Sequence, residues 1–145
     1  METKTAAIQK PLSNRRQFVE TVIDRMANSL DASEISITFK PIYRVNNTNY
    51  EIMAFMRKYF RFLPLNLLKE IILLPEYGES KNLHFHGIIR GKASSVSELK
   101  GFLNRRFGRS TVATIRHPDK YIKYMLKEQE DVITKEDFIY NDYTH

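Results

Sequence analysis

The spacing of hydrophobic residues changes several times along this 145-residue chain, and each change predicts a different element. Between residues 14 and 30, apolar side chains recur at helical spacing, which indicates an amphipathic helix. Ile35, Ile37 and Phe39 alternate with polar residues, which is the pattern of a half-buried strand. Residues 53–63 return to helical spacing. The first part of the chain therefore predicts the order helix, strand, helix.

Two apolar strands are predicted next, at residues 71–77 and 83–90, with residues 78–82 as the loop of a hairpin. If this loop is symmetric about its middle residue, Glu76 lies opposite His84. Directly opposed residues of antiparallel strands share a face, so the two side chains would meet. A slip of one residue would turn Glu76 to the other face.

The last third of the chain mixes helix and strand again. A capping box formed by Ser94 or Ser95 with Glu98 predicts the start of a helix. Residues 110–116 alternate as a strand, and a further helix begins at Pro118. Elements in this order predict an α+β fold, in which helices cover a central antiparallel sheet.

The length and composition fit one domain, since 42% of the residues are hydrophobic. We expect a flexible N-terminal lead at residues 1–13, the folded domain at residues 14–130 and an acidic C-terminal tail at residues 131–145. Residues 1–127 carry 22 Lys and Arg against 11 Asp and Glu, whereas residues 128–145 carry one Lys against six acids. The domain is thus basic and the tail acidic.

Several functional classes are excluded by what the sequence lacks. The absence of cysteine excludes disulfides, thiolate metal sites and cysteine nucleophiles. The glycines are isolated, so no phosphate-binding glycine loop is predicted. The first residues lack the apolar core of a signal peptide, and the longest aliphatic runs are too short to cross a bilayer. We expect an intracellular protein, in the cytoplasm or a host nucleus, with no membrane partner.

His84 and His86 are the clearest candidates for chemistry. Alternate residues of a strand share a face, so the two imidazoles can chelate one metal ion. Glu76 is the expected third ligand if the hairpin register holds, and Glu79 in the loop is the alternative. Two imidazoles and one carboxylate leave coordination positions open, which suits Mg²⁺ or Mn²⁺ at a catalytic site. The alternatives without a metal ion are a histidine pair that only packs and a glutamate that faces water.

Two tyrosines follow on the predicted C-terminal helix. Tyr121, Tyr124 and Lys127 are spaced by three, which puts both phenols and one ammonium on one face. A metal-binding pair together with a phenol indicates phosphodiester chemistry, because a phenol oxygen can act as a nucleophile.

Three segments in this order resemble the motifs of the HUH endonucleases. The resemblance is to the Rep-type proteins of this class, which initiate rolling-circle replication in circular single-stranded DNA viruses, phages and plasmids. The matching segments are residues 35–40 as the first strand, residues 84–87 (His-Phe-His-Gly) as the metal motif, and residues 124–127 as the Tyr-X-X-Lys helix. The resemblance implies a palm-like (RRM-like) sheet of about five strands, of which the hydrophobic pattern locates four.

The resemblance also implies a mechanism and partners. Tyr124 is the expected nucleophile, Lys127 the expected contact to the phosphate or phenolate, and Tyr121 a packing or auxiliary residue. The expected products are a 5′-phosphotyrosine and a free 3′-hydroxyl, which allow the enzyme to nick and rejoin DNA. The expected partners are single-stranded DNA or a hairpin at a replication origin, with a helicase as a further candidate.

Two clusters that mix cations with aromatic residues are candidate DNA contacts. Such clusters offer phosphate contacts beside ring faces on which bases can stack. Their cations are Arg57, Lys58, Arg61, Arg105, Arg106 and Arg109. Helix ends with core aromatics and solvated charges are the alternative.

Two other functions share parts of the pattern. A single-tyrosine transposase of the HUH class has a His-X-His site and a helical tyrosine, but Lys127 after Tyr124 favours the Rep type. A non-catalytic DNA-binding module would use His84 and His86 for packing alone. Metal titration distinguishes such a module from the enzymes.

Overall fold

Helices and strands follow one another along the chain in the computed structural model, which describes residues 16–46, 48–63, 67–77, 83–127 and 138–144. In chain order the elements are helix α1 (residues 16–27), strand β1 (Ala32–Phe39), helices α2 (Pro41–Asn46) and α3 (Asn49–Arg61), strands β2 (Glu70–Tyr77) and β3 (Leu83–Arg90), helix α4 (Ala93–Arg106), strand β4 (Gly108–Thr114), helix α5 (Pro118–Lys127) and strand β5 (Ile139–Asp142). The strands form one antiparallel sheet in the order β4-β1-β3-β2-β5. The predicted α+β fold is confirmed.

Strands β2 and β3 form the predicted hairpin. Glu76 pairs with His84, and Leu74 pairs with His86, so the register is symmetric as the sequence predicts. The loop, residues 78–82, lies outside the described residues. Because opposed residues share a face, Glu76 and both histidines lie on the same face of the sheet.

The fifth strand lies in the segment that the sequence assigns to an acidic tail. Strand β5 pairs with β2 at one edge of the sheet, where Ile139 stands opposite Leu73. Ile139 is buried in the core. Only four residues form this strand, and the acids around them hide its pattern. The predicted lead, residues 1–13, lies outside the described part of the chain.

Apolar side chains cover both faces of the sheet. On one face, Ile37 and Phe85 belong to a core shared with α3 and α4, and we call this the α3/α4 face. On the other, Ile72 and Ile88 pack with α1 and α5, and we call this the α1/α5 face. Side chains alternate along β3, so His86 lies on the α1/α5 face with Ile88.

Helix α4 begins earlier than the sequence predicts. Its first residue is Ala93, and the preceding Lys92 makes no side-chain capping hydrogen bond. The predicted capping box of Ser94 or Ser95 with Glu98 is therefore wrong, because the chain turns directly from β3 into the helix and these residues lie inside it. Among the described residues, no helix combines the length and apolarity that crossing a membrane requires.

A buried acid connects α1, β3 and β5. Glu70 is 1% exposed, and Arg25 and Arg90 each donate a hydrogen bond of 2.8 Å to its carboxylate. The hydroxyl of Tyr140 also donates to it. Burial alone would raise the pKa of Glu70, but these hydrogen bonds outweigh burial and lower the pKa. This network lies at the C-terminal end of β3, whereas His84 lies near the N-terminal end of the same strand.

Candidate active site

Three side chains of the β2–β3 hairpin converge on the α1/α5 face. Nε2 of His86 lies 2.8 Å from Oε2 of Glu76, and Nε2 of His84 lies 3.3 Å from the same oxygen. The register explains this convergence, because Glu76 and His84 are directly opposed and His86 is two residues further along β3. Each side chain is between 21% and 23% exposed, so the cluster is shielded but still open to solvent.

The cluster could hold one divalent ion. Each of Glu76, His84 and His86 offers one ligand atom, and these atoms all lie within 4.8 Å of one another. Ligand atoms bound to one ion at about 2.1 Å stand about 3 to 4 Å apart. In the part of the chain that the structure describes, no other group of three His, Cys, Asp or Glu side chains meets this condition. Glu79 lies outside the described residues.

The protonation state of His86 suits a metal ligand. Burial lowers the pKa of His86 below its usual value, against the opposing charge of Glu76 and with a smaller contribution from His84. The neutral imidazole is the form that binds metal ions. The environment of His86 therefore favours the ligand form at neutral pH.

Tyr124 places its phenol against the histidine pair. Its hydroxyl oxygen lies 3.4 Å from Nε2 of His86, and the two rings meet edge to face with centroids 5.4 Å apart. The next residue, Met125, is buried and anchors α5 on the α1/α5 face. Tyr124 is 46% exposed, so a substrate can reach its phenol. Lys127 ends α5, and its side chain lies outside what the structure describes.

Tyr121 makes a structural contact instead. Its hydroxyl donates a 2.7 Å hydrogen bond to the carbonyl oxygen of Gly87, and its ring stacks on Tyr124. Burial raises the pKa of Tyr121 well above its usual value, and the charge of Glu34 adds to this effect. Gly87 cannot carry a side chain, since a Cβ there would stand 2.0 Å from the carbonyl oxygen of Ile72. Tyr121 thus holds α5 on β3 beside the histidines.

Strands β1 and β4 add polar groups that the sequence does not single out. Ser36 pairs with His86 on one side and with Thr111 on the other. The hydroxyls of Ser36 and Thr111 are hydrogen bonded to each other. Glu34 lies two residues back along β1 and lines a cavity of about 300 Å³ with His86 and Tyr124. No local signal could have revealed these neighbours, because pairing between distant strands creates them.

Of the six predicted DNA-binding cations, Arg109 lies on the α1/α5 face. It pairs with Thr38, which pairs with His84 on its other side. The other five lie on helices that cover the α3/α4 face, and they are Arg57, Lys58, Arg61, Arg105 and Arg106. Lys58 and Arg106 line a groove between α3 and α4. The sheet separates these helices from the histidine pair.

Sequence similarity to known proteins gives no evidence about this site. The chain matches no model of a protein family, and it matches no curated protein in sequence. The positions of Glu76, His84, His86 and Tyr124 must therefore support any functional conclusion.

Proposed function

We propose that this chain is a metal-dependent endonuclease that nicks and rejoins single-stranded DNA through Tyr124, as a Rep-type HUH initiator of rolling-circle replication. One observation carries the proposal. The phenol oxygen of Tyr124 lies 3.4 Å from Nε2 of His86, which is one of three converging ligand atoms. A nucleophile beside an open cation site is the arrangement that phosphoryl transfer needs.

Glu76, His84 and His86 would hold the ion. One carboxylate and two imidazoles leave positions for phosphate or water oxygens, which suits Mn²⁺ or Mg²⁺. A bound ion of this kind supplies Lewis-acid activation of the scissile phosphate. The three ligands lie on two paired strands, so the sheet fixes their separation before substrate binds.

Tyr124 supplies the attacking atom. Its phenol oxygen forms a bond to phosphorus and loses its proton to solvent, while the bond from phosphorus to the 3′ oxygen breaks. That oxygen leaves with the bonding electrons and takes up a proton, which gives a 5′-phosphotyrosine and a 3′-hydroxyl. The 3′-hydroxyl can reverse the reaction and reseal the strand. Lys127, one turn after Tyr124, is the proposed cation for the phosphate or the phenolate.

The proposed substrate is single-stranded DNA or an extruded hairpin at a replication origin. Tyr124 projects from a helix onto the sheet, so the phosphate that it attacks must lie between the helix and the strands. Bases beside that phosphate have to splay apart, which a closed duplex prevents. Arg109 is a proposed backbone contact. The cations on α3 and α4 are not part of this site, because the sheet separates their helices from Tyr124.

A cleavage assay on strands of random sequence tests the proposal without knowledge of the recognition sequence. We expect an end-labelled single-stranded library to be cut when Mn²⁺ is present and to stay intact in excess chelator. The same library, copied into duplex by primer extension, should resist cleavage. The Tyr124→Phe protein, prepared in parallel, identifies any contaminating nuclease. Equal cleavage of the duplex, or full cleavage in chelator, would contradict the proposal.

A further inference from the structure

A cleft continues from the candidate active site along β1. A cavity of about 300 Å³ beside His86 and a second cavity of about 550 Å³ share Glu34 and Tyr124 in their linings. Strands β1 and β4 contribute to one side of both cavities and α5 to the other. The second cavity is also lined by two exposed cations, Arg116 and Lys120. Volumes of this order are typical of sites for small ligands.

Glu34 is the group in this cleft that the fold does not explain. Its side chain is partly buried on the α1/α5 face, and burial raises the pKa of its carboxyl. No described residue donates a hydrogen bond to this carboxylate or forms an ion pair with it. Glu70 differs, because its buried carboxylate accepts hydrogen bonds from Arg25 and Arg90. A partly buried carboxylate without such partners lowers stability, which favours a role in binding.

The charges along the cleft indicate which section suits a nucleobase and which suits a backbone phosphate. A phosphate beside Glu34 would be repelled, so this section suits an uncharged group that donates hydrogen bonds. A nucleobase is such a group, and the hydroxyls of Ser36 and Thr111 can donate to it or accept from it. Arg116 and Lys120 suit a backbone phosphate further along the strand.

We propose that this cleft holds one nucleobase next to the scissile phosphate, and that Glu34 selects bases that carry an amino group. The proposal rests on the proposed function, because the strand in the cleft is the one that Tyr124 attacks. Cytosine, adenine and guanine each present an amino group that can donate to a carboxylate. Thymine lacks an amino group, and its carbonyl oxygens flank its single N–H. Glu34 therefore disfavours thymine.

Binding is measured in excess chelator, so that the base preference can be observed without cleavage of the DNA. The probes are labelled homopolymers of deoxycytidine, deoxyadenosine and thymidine, each about 20 nucleotides long, which exceeds the usual footprint of a small domain. Fluorescence anisotropy should show that wild-type protein binds the deoxycytidine and deoxyadenosine homopolymers about tenfold more tightly than the thymidine homopolymer. In Glu34→Gln the preference should fall to about twofold, because an amide both donates and accepts.

Three further variants make the result specific. Glu98→Gln removes the same charge from an exposed position on α4 and should keep the wild-type preference. Arg116→Ala should weaken binding of all three probes by a similar factor, as expected for a phosphate contact. Glu34→Ala should lose the preference as Glu34→Gln does. Thermal unfolding should show that both Glu34 variants fold, since the carboxylate has no described partner to lose.

Each outcome is decisive. A wild-type protein without preference, or a preference that Glu34→Gln and Glu98→Gln retain equally, overturns the proposal. If none of the probes binds, both this proposal and the proposed function fail. A preference that depends on Glu34 in a protein that cleaves no DNA would leave the base subsite standing and remove the endonuclease.

Discussion

The hydroxyl oxygen of Tyr124 and Nε2 of His86 lie 3.4 Å apart, although 38 positions separate the two residues in the chain. The neighbouring Tyr121 lies on the same helix and its ring stacks on that of Tyr124, but its hydroxyl donates to the backbone of Gly87. The sequence spacing puts both phenols on one helical face and leaves their roles similar. The structure distinguishes their positions, because the Tyr124 hydroxyl faces the candidate metal ligands whereas the Tyr121 hydroxyl donates a hydrogen bond to the backbone.

Removal of the Tyr124 hydroxyl should prevent nicking and leave the affinity for DNA unchanged. In Tyr124→Phe we expect nicking to fall about a thousandfold or more, because the attacking atom is gone. Affinity for single-stranded DNA and the melting temperature should stay near wild type, since this half-exposed phenol carries little of the core. Gel assays of nicking, anisotropy and thermal unfolding measure the three quantities.

Tyr121→Phe is the matched control. It removes the hydrogen bond to Gly87, so we expect a stability loss of about 1 kcal/mol and residual nicking. If Tyr121→Phe abolishes nicking while Tyr124→Phe retains it, the assignment of the nucleophile is wrong.

Metal affinity should depend on the three converging ligands. Replacing His86 with Ala removes one imidazole, so the affinity for Mn²⁺ measured by isothermal titration calorimetry should fall about tenfold or more. Glu76→Gln should act in the same direction. His117→Ala, at an exposed histidine outside the cluster, should leave the affinity unchanged. Equal Mn²⁺ affinities in wild type and His86→Ala would exclude this cluster as the metal site.

We expect the substitution of Arg109 to reduce single-strand cleavage more than the substitution of Lys58. Arg109 lies on the face of the histidine pair, two strands or about 10 Å from His84. Arg109→Ala should reduce single-strand cleavage at limiting protein concentration and lower the slope of log affinity against log salt by about one. Lys58→Ala, on the opposite side of the sheet, should leave cleavage within about twofold. The reverse order of effects would place the DNA on the α3/α4 face.

The buried acid Glu70 predicts a pH dependence of stability. Folding lowers the pKa of Glu70, so its ionised form stabilises the fold above the ordinary glutamate pKa of about 4.3. That contribution is lost as the pH falls through the lower pKa of the folded protein. Glu70→Gln should therefore cost on the order of 2 kcal/mol near neutral pH, and this cost should decline as the pH falls below about 4.3.

Thermal unfolding followed between pH 3 and 7 measures this difference. Glu20→Gln serves as a control, because Glu20 forms a surface pair with Arg16 four residues away, and such pairs contribute little. A gap between wild type and Glu70→Gln that stays constant across this range would show that charge on Glu70 is not the cause.

Local patterns were sufficient to predict the hairpin and the three side chains that converge on it. Two short apolar runs on either side of a loop locate β2 and β3, and a symmetric loop fixes the pairing of Glu76 with His84. These contacts join residues close in sequence, so chain geometry determines them. The same holds for Tyr124, which helical spacing places on one face with Tyr121.

Contacts between distant segments could not be predicted in this way. The hydroxyls of Ser36 and Thr111 meet across 75 positions of sequence, and no local spacing indicates that β1 lies between β3 and β4. For the same reason the basic clusters could not be assigned to a face, since composition does not show which side of the sheet α3 and α4 cover. Strand β5 was missed because its burial depends on pairing with β2.

Identification of the residue that becomes linked to DNA is the most direct test of Tyr124 as the nucleophile. Wild-type protein would be incubated with Mn²⁺ and a single-stranded library, freed of unlinked DNA under denaturing conditions, and digested with nuclease and trypsin for mass spectrometry. Trypsin cuts after Lys120, Lys123 and Lys127, so Tyr121 and Tyr124 fall in different peptides. We expect a 5′-phosphonucleotide on Tyr124 that is absent in chelator. An adduct on another residue, or cleavage of the library without any adduct, would contradict it.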